Sequence, residues 1–171
     1  MRKKIQNFWY YYKAAVIIAL VIVAAGAWLL VQQKKAERPD YEAALVSPEY
    51  YSEEQIESLK DALQKAGADS NGDGKVSVNL KVYRIALGEE GQDANVIGAL
   101  DADLVGKVSG LFLLSDPVKF EEVTNGICRA ADAVPAAECE ALRGLGFDGL
   151  SLAVREGADE KYAVMLKELT A

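Results

Sequence analysis

The pattern of hydrophobic and polar residues changes character near residue 40. Residues 14–31 form an uninterrupted apolar run of 18 residues. As an α-helix this run extends ~27 Å, close to the ~30 Å hydrocarbon core of a bilayer. Aromatic residues crowd its entry and Trp28 lies near its exit, as is typical of membrane interfaces. The pattern predicts a transmembrane helix at 14–31, between a basic and aromatic flank at 1–13 and a polar linker at 32–40.

Two alternatives for this run concern cleavage and orientation. The triplet at 25–27, Ala-Gly-Ala, fits a signal-peptidase site, but the chain stays apolar through residue 31, which favours an uncleaved anchor. The flank at 1–13 carries more unopposed positive charge than the linker, which favours a cytoplasmic N-terminus. We therefore expect a single-pass protein of the cell membrane, in contact with the lipid bilayer, with its C-terminal domain outside.

Beyond the linker, residues 41–171 alternate between strand and helix patterns. Strands are predicted at 41–47, 76–87, 111–114 and 150–154, and helices after Ser52, at 94–107, after Asp116 and at 159–169. Residues 127–149 follow neither pattern. The alternation predicts a three-layer α/β domain with a mostly parallel sheet of about four strands. The strand at 111–114 is apolar throughout, whereas residues 76–82 alternate before the parity shifts at Arg84, which places these strands at the centre and the edge, in the order 2-1-3-4.

This succession of elements after a membrane anchor resembles a known family. The segments that carry the likeness are YEAALVS, SEEQIESLKDALQKAG, VSVNLKVYRI and LDADLVGKVSGLFLLSDP. They are similar to the first lobe of extracellular solute-binding proteins of the periplasmic-binding type. The chain also resembles small membrane-anchored bacterial proteins. The resemblance implies a solute-binding-like lobe, although residues 121–171 leave no room for the second lobe that closes over a ligand in that family.

Charge and composition narrow the functions that the body can have. Residues 41–171 hold 12 Lys/Arg against 24 Asp/Glu, a net charge of −12, within a chain of net charge −7. Such a body repels nucleic acid. The chain has no histidine, which excludes Ser-His-Asp and Cys-His catalysis. The pair Asp101 and Asp103 lies in a predicted helix, where positions i and i+2 face apart, which indicates a solvated surface. We expect a protein that is not an enzyme.

A short acidic loop matches the beginning of a calcium-binding loop. Residues 69–74 read DSNGDG, which fits D-x-[DN]-x-[DN]-G. The candidate ligands are the side chains of Asp69, Asn71 and Asp73, the carbonyl of Lys75, and Ser77 directly or through water. Position 12 of such a loop is a bidentate acid, but here it is Leu80. The sequence therefore favours a tight turn before an edge strand, with calcium as the alternative and no other cofactor.

The two cysteines, Cys128 and Cys139, lie in the segment without a clear pattern. In an oxidising compartment they would form a disulfide and close a short loop. In a reducing one they would be two buried thiols that pack as small apolar residues. The sequence does not decide between these two alternatives.

Ligands of open α/β sheets bind at the carboxyl ends of the strands. In this chain those ends carry Tyr50 and Tyr51 after the first strand and Ser115 and Asp116 after the third. The tyrosine rings suit stacking on a sugar or peptide, and the polar pair suits hydrogen bonding to it. In the alternative, which we favour, Asp116 caps its helix and one tyrosine packs inward.

These observations lead to one expected function and two alternatives. The first is a membrane protein that displays a non-catalytic binding or interaction domain outside the cell, with a small polar ligand as one candidate partner. The second is a structural or accessory subunit that joins another membrane protein. A carboxylate-dependent enzyme comes third, since no paired acids visibly converge.

Overall fold

The computed structural model describes residues 21–24, 39–89 and 91–171. The chain divides into two units, Met1–Arg38 and Pro39–Ala171. In the first unit, residues 21–24 are helical and their side chains are exposed.

The predicted transmembrane helix at 14–31 falls outside the described residues except at 21–24, as do the flank at 1–13 and most of the linker at 32–40. Within the described ranges, no helix combines the length and the apolar character that a membrane span requires.

The second unit is an α/β domain built on a five-stranded mixed sheet. Its strands are β1 (Tyr41–Ser47), β2 (Val78–Arg84), β3 (Leu111–Leu114), β4 (Val134–Pro135) and β5 (Ser151–Val154). Its helices are α1 (Glu53–Ala66), α2 (Ala94–Gly106), α3 (Pro117–Thr124) and α4 (Glu160–Leu169). Three short 3-10 helices lie at Ala130–Asp132, Ala136–Glu138 and Glu140–Leu142. The strand order is β2-β1-β3-β5-β4.

The predicted α/β class and the relative order of the four longer strands are confirmed, but the mostly parallel sheet is wrong. Strand β1 runs parallel to β2 and β3, whereas β5 runs antiparallel to both β3 and β4. The cause lies in residues 127–149. Cys128 packs on one face of the sheet, β4 forms its edge, and Ala136 and Cys139 pack on the other face. The chain therefore passes around the β4 edge and enters β5 from the carboxyl end of β3.

Helices cover the sheet on both faces, which gives two separate cores. Ala43 and Leu45 of β1 point to the face covered by α1, α4 and the second and third 3-10 helices. Ala44 and Val46 point to the face covered by α2 and α3. Because both faces are covered, all four residues of β3 are fully buried, which explains its unbroken apolar sequence.

Two helix starts form as their sequences predict. At α1, the Ser52 hydroxyl accepts from the Gln55 N–H at 3.2 Å while the Gln55 side chain accepts from the Ser52 N–H at 3.0 Å, a capping box. At α3, Asp116 accepts from the Lys119 N–H at 2.8 Å and Pro117 occupies the first helical turn. These caps fix where each helix begins relative to the carboxyl ends of the strands.

Candidate functional site

The two tyrosines predicted to bind ligand at the carboxyl end of β1 have different neighbours. Tyr50 is 74% exposed, and the Arg84 guanidinium lies 5.7 Å from its ring centroid. Tyr51 packs its ring against Phe147, with centroids 4.9 Å apart. Its hydroxyl donates to Glu49 at 3.2 Å, and burial raises its pKa. One tyrosine therefore supports the core while the other remains on the surface.

The polar pair that follows β3 is used locally. Ser115 is exposed and donates its N–H to the Val46 carbonyl at 3.1 Å. Asp116 caps α3. The structure thus gives Asp116 and Tyr51 the structural roles that the favoured alternative predicts.

A narrow groove opens near this edge of the sheet, between the β2–α2 loop, α2 and α3. Its volume is about 190 Å³. Apolar side chains form its floor: Ile85, Leu87, Ile97, Leu100, Leu104 and Val123. Exposed Glu89 and Asp101 lie on its rim. Pockets for drug-sized ligands usually have roughly 300–1,000 Å³, so this groove suits one bulky apolar side chain better than a sugar. None of the four predicted ligand-binding residues lines it.

The predicted calcium loop folds as a series of turns stabilised by its own carboxylates and amide. Asp69 accepts from the N–H groups of Gly72 at 2.6 Å and Gly74 at 2.8 Å. Asn71 accepts from the Asp73 N–H and Asp73 from the Lys75 N–H, both at 2.9 Å. Gly72 and Gly74 have φ of +77° and +83°, a conformation that glycine adopts without strain. Across residues 39–89 and 91–171, no three acidic or cysteine side chains cluster as a metal site would require.

Asp40 anchors this loop to the sheet, and sequence reasoning missed it. Both carboxylate oxygens are buried and accept five hydrogen bonds, from the N–H and hydroxyl of Ser70, the N–H of Asn71, and the N–H and hydroxyl of Ser77. Burial alone would raise the pKa of Asp40, but these hydrogen bonds outweigh it and lower the pKa from 3.8 to about 2. Asp40 is fully occupied as a loop anchor and does not replace the missing acid at position 12.

We expect any calcium affinity of this loop to be in the millimolar range or weaker. The physical reason is that Leu80 stands where a bidentate acid would bind, and fewer charged ligands weaken calcium loops. Calcium titration followed by the amide NMR signals of Gly72 and Gly74 measures this, with Asp73→Asn as the matched variant. Saturation at micromolar calcium would contradict the expectation and establish the site formed by Asp69, Asn71, Asp73, Lys75 and Ser77.

The disulfide alternative for Cys128 and Cys139 is wrong, because both cysteines are free and buried. Cys128 packs in the core beneath α2 and α3, and Cys139 packs in the core on the opposite face of the sheet. A bond between them would have to pass through the sheet. Burial raises the pKa of Cys128 to about 12, although Arg155 partly opposes it. Burial and then Glu138 also raise the pKa of Cys139.

Both thiols should therefore resist modification in the folded protein. With a disulfide-exchange reagent at pH 8, we expect almost no reaction before unfolding and two thiols per chain after unfolding in denaturant, because the thiolate is the nucleophile. Mass spectrometry without reductant provides the control. A mass lower by two hydrogens, with no titratable thiol after unfolding, would contradict the structure.

A buried polar cluster where the end of α2 meets β2 was also missed. Asp103 is 3% exposed and accepts from the Ser109 hydroxyl at 2.7 Å, the Ser109 N–H at 2.8 Å and the Tyr83 hydroxyl at 2.8 Å. The Lys81 ammonium lies 3.2 Å away. Burial opposes ionisation, but the bonds from Ser109, Tyr83 and Lys81 outweigh it and lower the pKa of Asp103. The solvated surface expected for Asp103 is therefore wrong, although Asp101 is exposed as expected.

The Asp103 cluster joins α2 to the neighbouring strands. Burial raises the pKa of Tyr83, and the hydrogen bond to Asp103 raises it further, so the phenol stays protonated. Lys81 also lies 3.8 Å from Glu42 on β1. These contacts hold the end of α2 against the β2 edge of the sheet. Lys81 and Tyr83 are two residues apart in β2, so both lie on the face that α2 covers. This spacing is the sequence signal that could have indicated a polar partner on α2.

The position of one glycine-rich motif in the fold decides how it is interpreted. Residues 144–149, GLGFDG, match G-x-G-x-x-G. In a dinucleotide site this motif follows a strand and opens a helix. Here it lies after the last 3-10 helix and before β5, so its glycines serve the turn that leads into β5.

Comparison of the chain with protein-family models, curated proteins and solved structures gives no match. The functional inference therefore rests on the fold, the groove and the distribution of charge.

Proposed function

We propose that this chain is a single-pass membrane protein that presents Pro39–Ala171 outside the cell as a non-catalytic domain for binding another protein. The groove between α2 and α3 is the observation that carries the proposal. It is apolar and holds about 190 Å³, a size suited to an anchoring side chain from a protein partner. A neighbouring membrane protein fits best, because the anchor at 14–31 would confine both molecules to the same bilayer.

The placement of polar residues argues against a catalytic role. Asp40 and Asp103, the two buried carboxylates among the residues that the structure describes, accept hydrogen bonds from several donors within the domain. Catalytic acids and bases need a pKa near the working pH, whereas both carboxyl groups have lowered pKa values. Neither group is therefore suited to move protons at neutral pH.

A solute-binding-like lobe is the alternative function. It is supported by the exposed Tyr50 at the carboxyl end of β1, where a ring could stack on a sugar or peptide. A screen of sugars, amino acids and peptides against the full chain distinguishes the two functions. A ligand that raises the melting temperature in a concentration-dependent way, and fails to do so with Tyr50→Ala, would favour the solute-binding lobe.

Site-specific photocrosslinking in intact membranes tests the interaction proposal. A photoreactive amino acid replaces Val123, which is 46% exposed in the groove, or Val164, which is 52% exposed on α4. We expect a discrete crosslinked product from position 123 and none from position 164. Identical products from both positions, or none from either, would contradict the proposal. Retention in the membrane after alkaline extraction tests the anchor separately.

A further inference from the structure

We propose that the groove between α2 and α3 binds an amphipathic segment of a partner protein, with a bulky apolar residue flanked by Lys or Arg. This inference rests on the proposed interaction function and specifies the chemistry of the partner. Two observations support it. The apolar floor of the groove is open to solvent, and its rim carries negative charge.

The floor of the groove is incompletely covered by the domain itself. Ile97 of α2 and Val123 of α3 both line it and are 38% and 46% exposed, while Leu100 and Leu104, which also line it, are buried. Covering exposed apolar surface is favourable because it removes that surface from water. A single bulky side chain inserted between α2 and α3 would complete this small core, as anchor residues do at protein interfaces.

The charges around the groove determine which segment can carry that anchor. Glu89 and Asp101 lie on the rim, and Asp93 caps the start of α2 beside it. Lys119 approaches the rim over Gly88, but its ammonium is 3.0 Å from the Glu122 carboxylate. The rim is therefore acidic, with its nearby lysine already paired, on a body of net charge −12. Flanking Lys or Arg residues complement it and would accelerate association.

The same charges argue against two other occupants. A second copy of this chain would bring another acidic body against the acidic rim, and like charges across an interface are unfavourable. A small polar solute would find few free polar groups, because Gln92 already accepts from the Ala86 N–H at 3.2 Å and Thr124 already donates to the Phe120 carbonyl at 2.6 Å. A basic amphipathic segment satisfies both the floor and the rim.

Two synthetic octapeptides test the proposal directly, KKALLAKK and its charge-reversed counterpart EEALLAEE. Each is titrated onto the full chain in nanodiscs of uncharged phosphatidylcholine, with empty nanodiscs subtracted. We expect KKALLAKK to bind at least tenfold more tightly than EEALLAEE. Raising the salt concentration should weaken it, since exposed charges are screened.

One matched pair of variants and one double variant locate the binding. Val123→Glu should lose at least tenfold in affinity for KKALLAKK, whereas Val164→Glu on the opposite face should stay within twofold. Both substitutions add the same negative charge, so a loss confined to position 123 reports the apolar floor. Glu89→Gln combined with Asp101→Asn should weaken binding three- to tenfold without lowering the melting temperature.

Three outcomes would overturn the inference. They are equal affinity for the two peptides, equal loss from Val123→Glu and Val164→Glu, and absence of KKALLAKK binding to a folded chain. If photocrosslinking from position 123 succeeds while the peptide fails to bind, the interaction function stands and the basic chemistry of the partner is rejected. If crosslinking also fails, both are rejected.

Discussion

Replacing Asp40 by alanine should lower the free energy of unfolding of the domain by about 3–5 kcal/mol, because hydrogen bonds to a charged group contribute about 1.5–3 kcal/mol each and several are lost together. Asp40 is 1% exposed, and its loss removes the acceptor that the N–H groups of Ser70 and Ser77 share. Because the loop at 69–77 and the start of β1 meet at Asp40, both should loosen together. Denaturation in urea, followed by circular dichroism, measures the change.

The matched control for this variant is Asp61→Asn on the exposed surface of α1, which should change stability by less than about 0.5 kcal/mol. Asp40→Asn is the sharper companion. Asparagine keeps the shape of the side chain but replaces one carboxylate oxygen with an NH2 group, which then faces the N–H and hydroxyl donors of the loop. We therefore expect most of the destabilisation to persist. Full stability of Asp40→Asn would show that the charge and both acceptors of Asp40 are dispensable.

The same carboxylate gives the domain a defined acid sensitivity. The pKa of Asp40 is 3.8 in the unfolded reference and about 2 in the folded protein, so the unfolded state binds more protons in this range. Its contribution is therefore fully present above pH 4 and is lost as the pH falls through about 2. The difference between the two pKa values of Asp40 corresponds to about 2 kcal/mol in the free energy of unfolding. Denaturation curves from pH 6 to pH 2 should show this loss in the native chain and a flatter profile in Asp40→Asn.

Local chemistry explains which parts of the fold were predictable. The capping box of Ser52 and Gln55 and the start of α3 at Asp116 depend on neighbours within three residues. Likewise, the apolar residues 111–114 predicted a central strand because burial on both faces leaves no polar position. Such signals are complete within a short window, and the structure contains each of these elements.

The features that the sequence did not reveal depend on distant partners. Asp40 was assigned to the linker, because its hydrogen-bond donors lie 30 to 37 residues along the chain. Residues 127–149 have no periodicity, since they pass around an edge of the sheet and pack on both faces in turn. The antiparallel direction of β5 follows from that path, and no local pattern encodes it.

The candidate site shows the same division. The carboxyl ends of β1 and β3 could be located from the strands, and Asp116 could be recognised as a cap. The groove could not be predicted, because it is the gap between α2 and α3. Its floor combines Ile85 from the end of β2, Leu100 from α2 and Val123 from α3. Each of these residues, taken alone, fits an ordinary core position.

Replacing Asp103 by alanine should also destabilise the domain, by about 3–4 kcal/mol, because it removes several hydrogen bonds to a buried carboxylate at once. The Ser109 hydroxyl and the Tyr83 hydroxyl, at 2.7 and 2.8 Å, would lose their shared acceptor. Lys81, at 3.2 Å, would lose its buried partner. The effect should be greatest where the end of α2 meets β2, and hydrogen exchange of amides 78–84 and 104–109 measures it there.

Asp101→Ala supplies a control on the same helix, two residues away and exposed, and should change stability by less than about 0.5 kcal/mol. Tyr83→Phe removes a single donor and should lower stability by about 1 kcal/mol. In the Asp103→Ala background, Tyr83→Phe should instead leave the stability unchanged or increase it, because it removes a hydroxyl that has lost its acceptor. A double-mutant cycle measures this coupling. Additive effects would show that Tyr83 and Asp103 stabilise the fold independently, and the cluster would then not be the joint between α2 and the edge of the sheet.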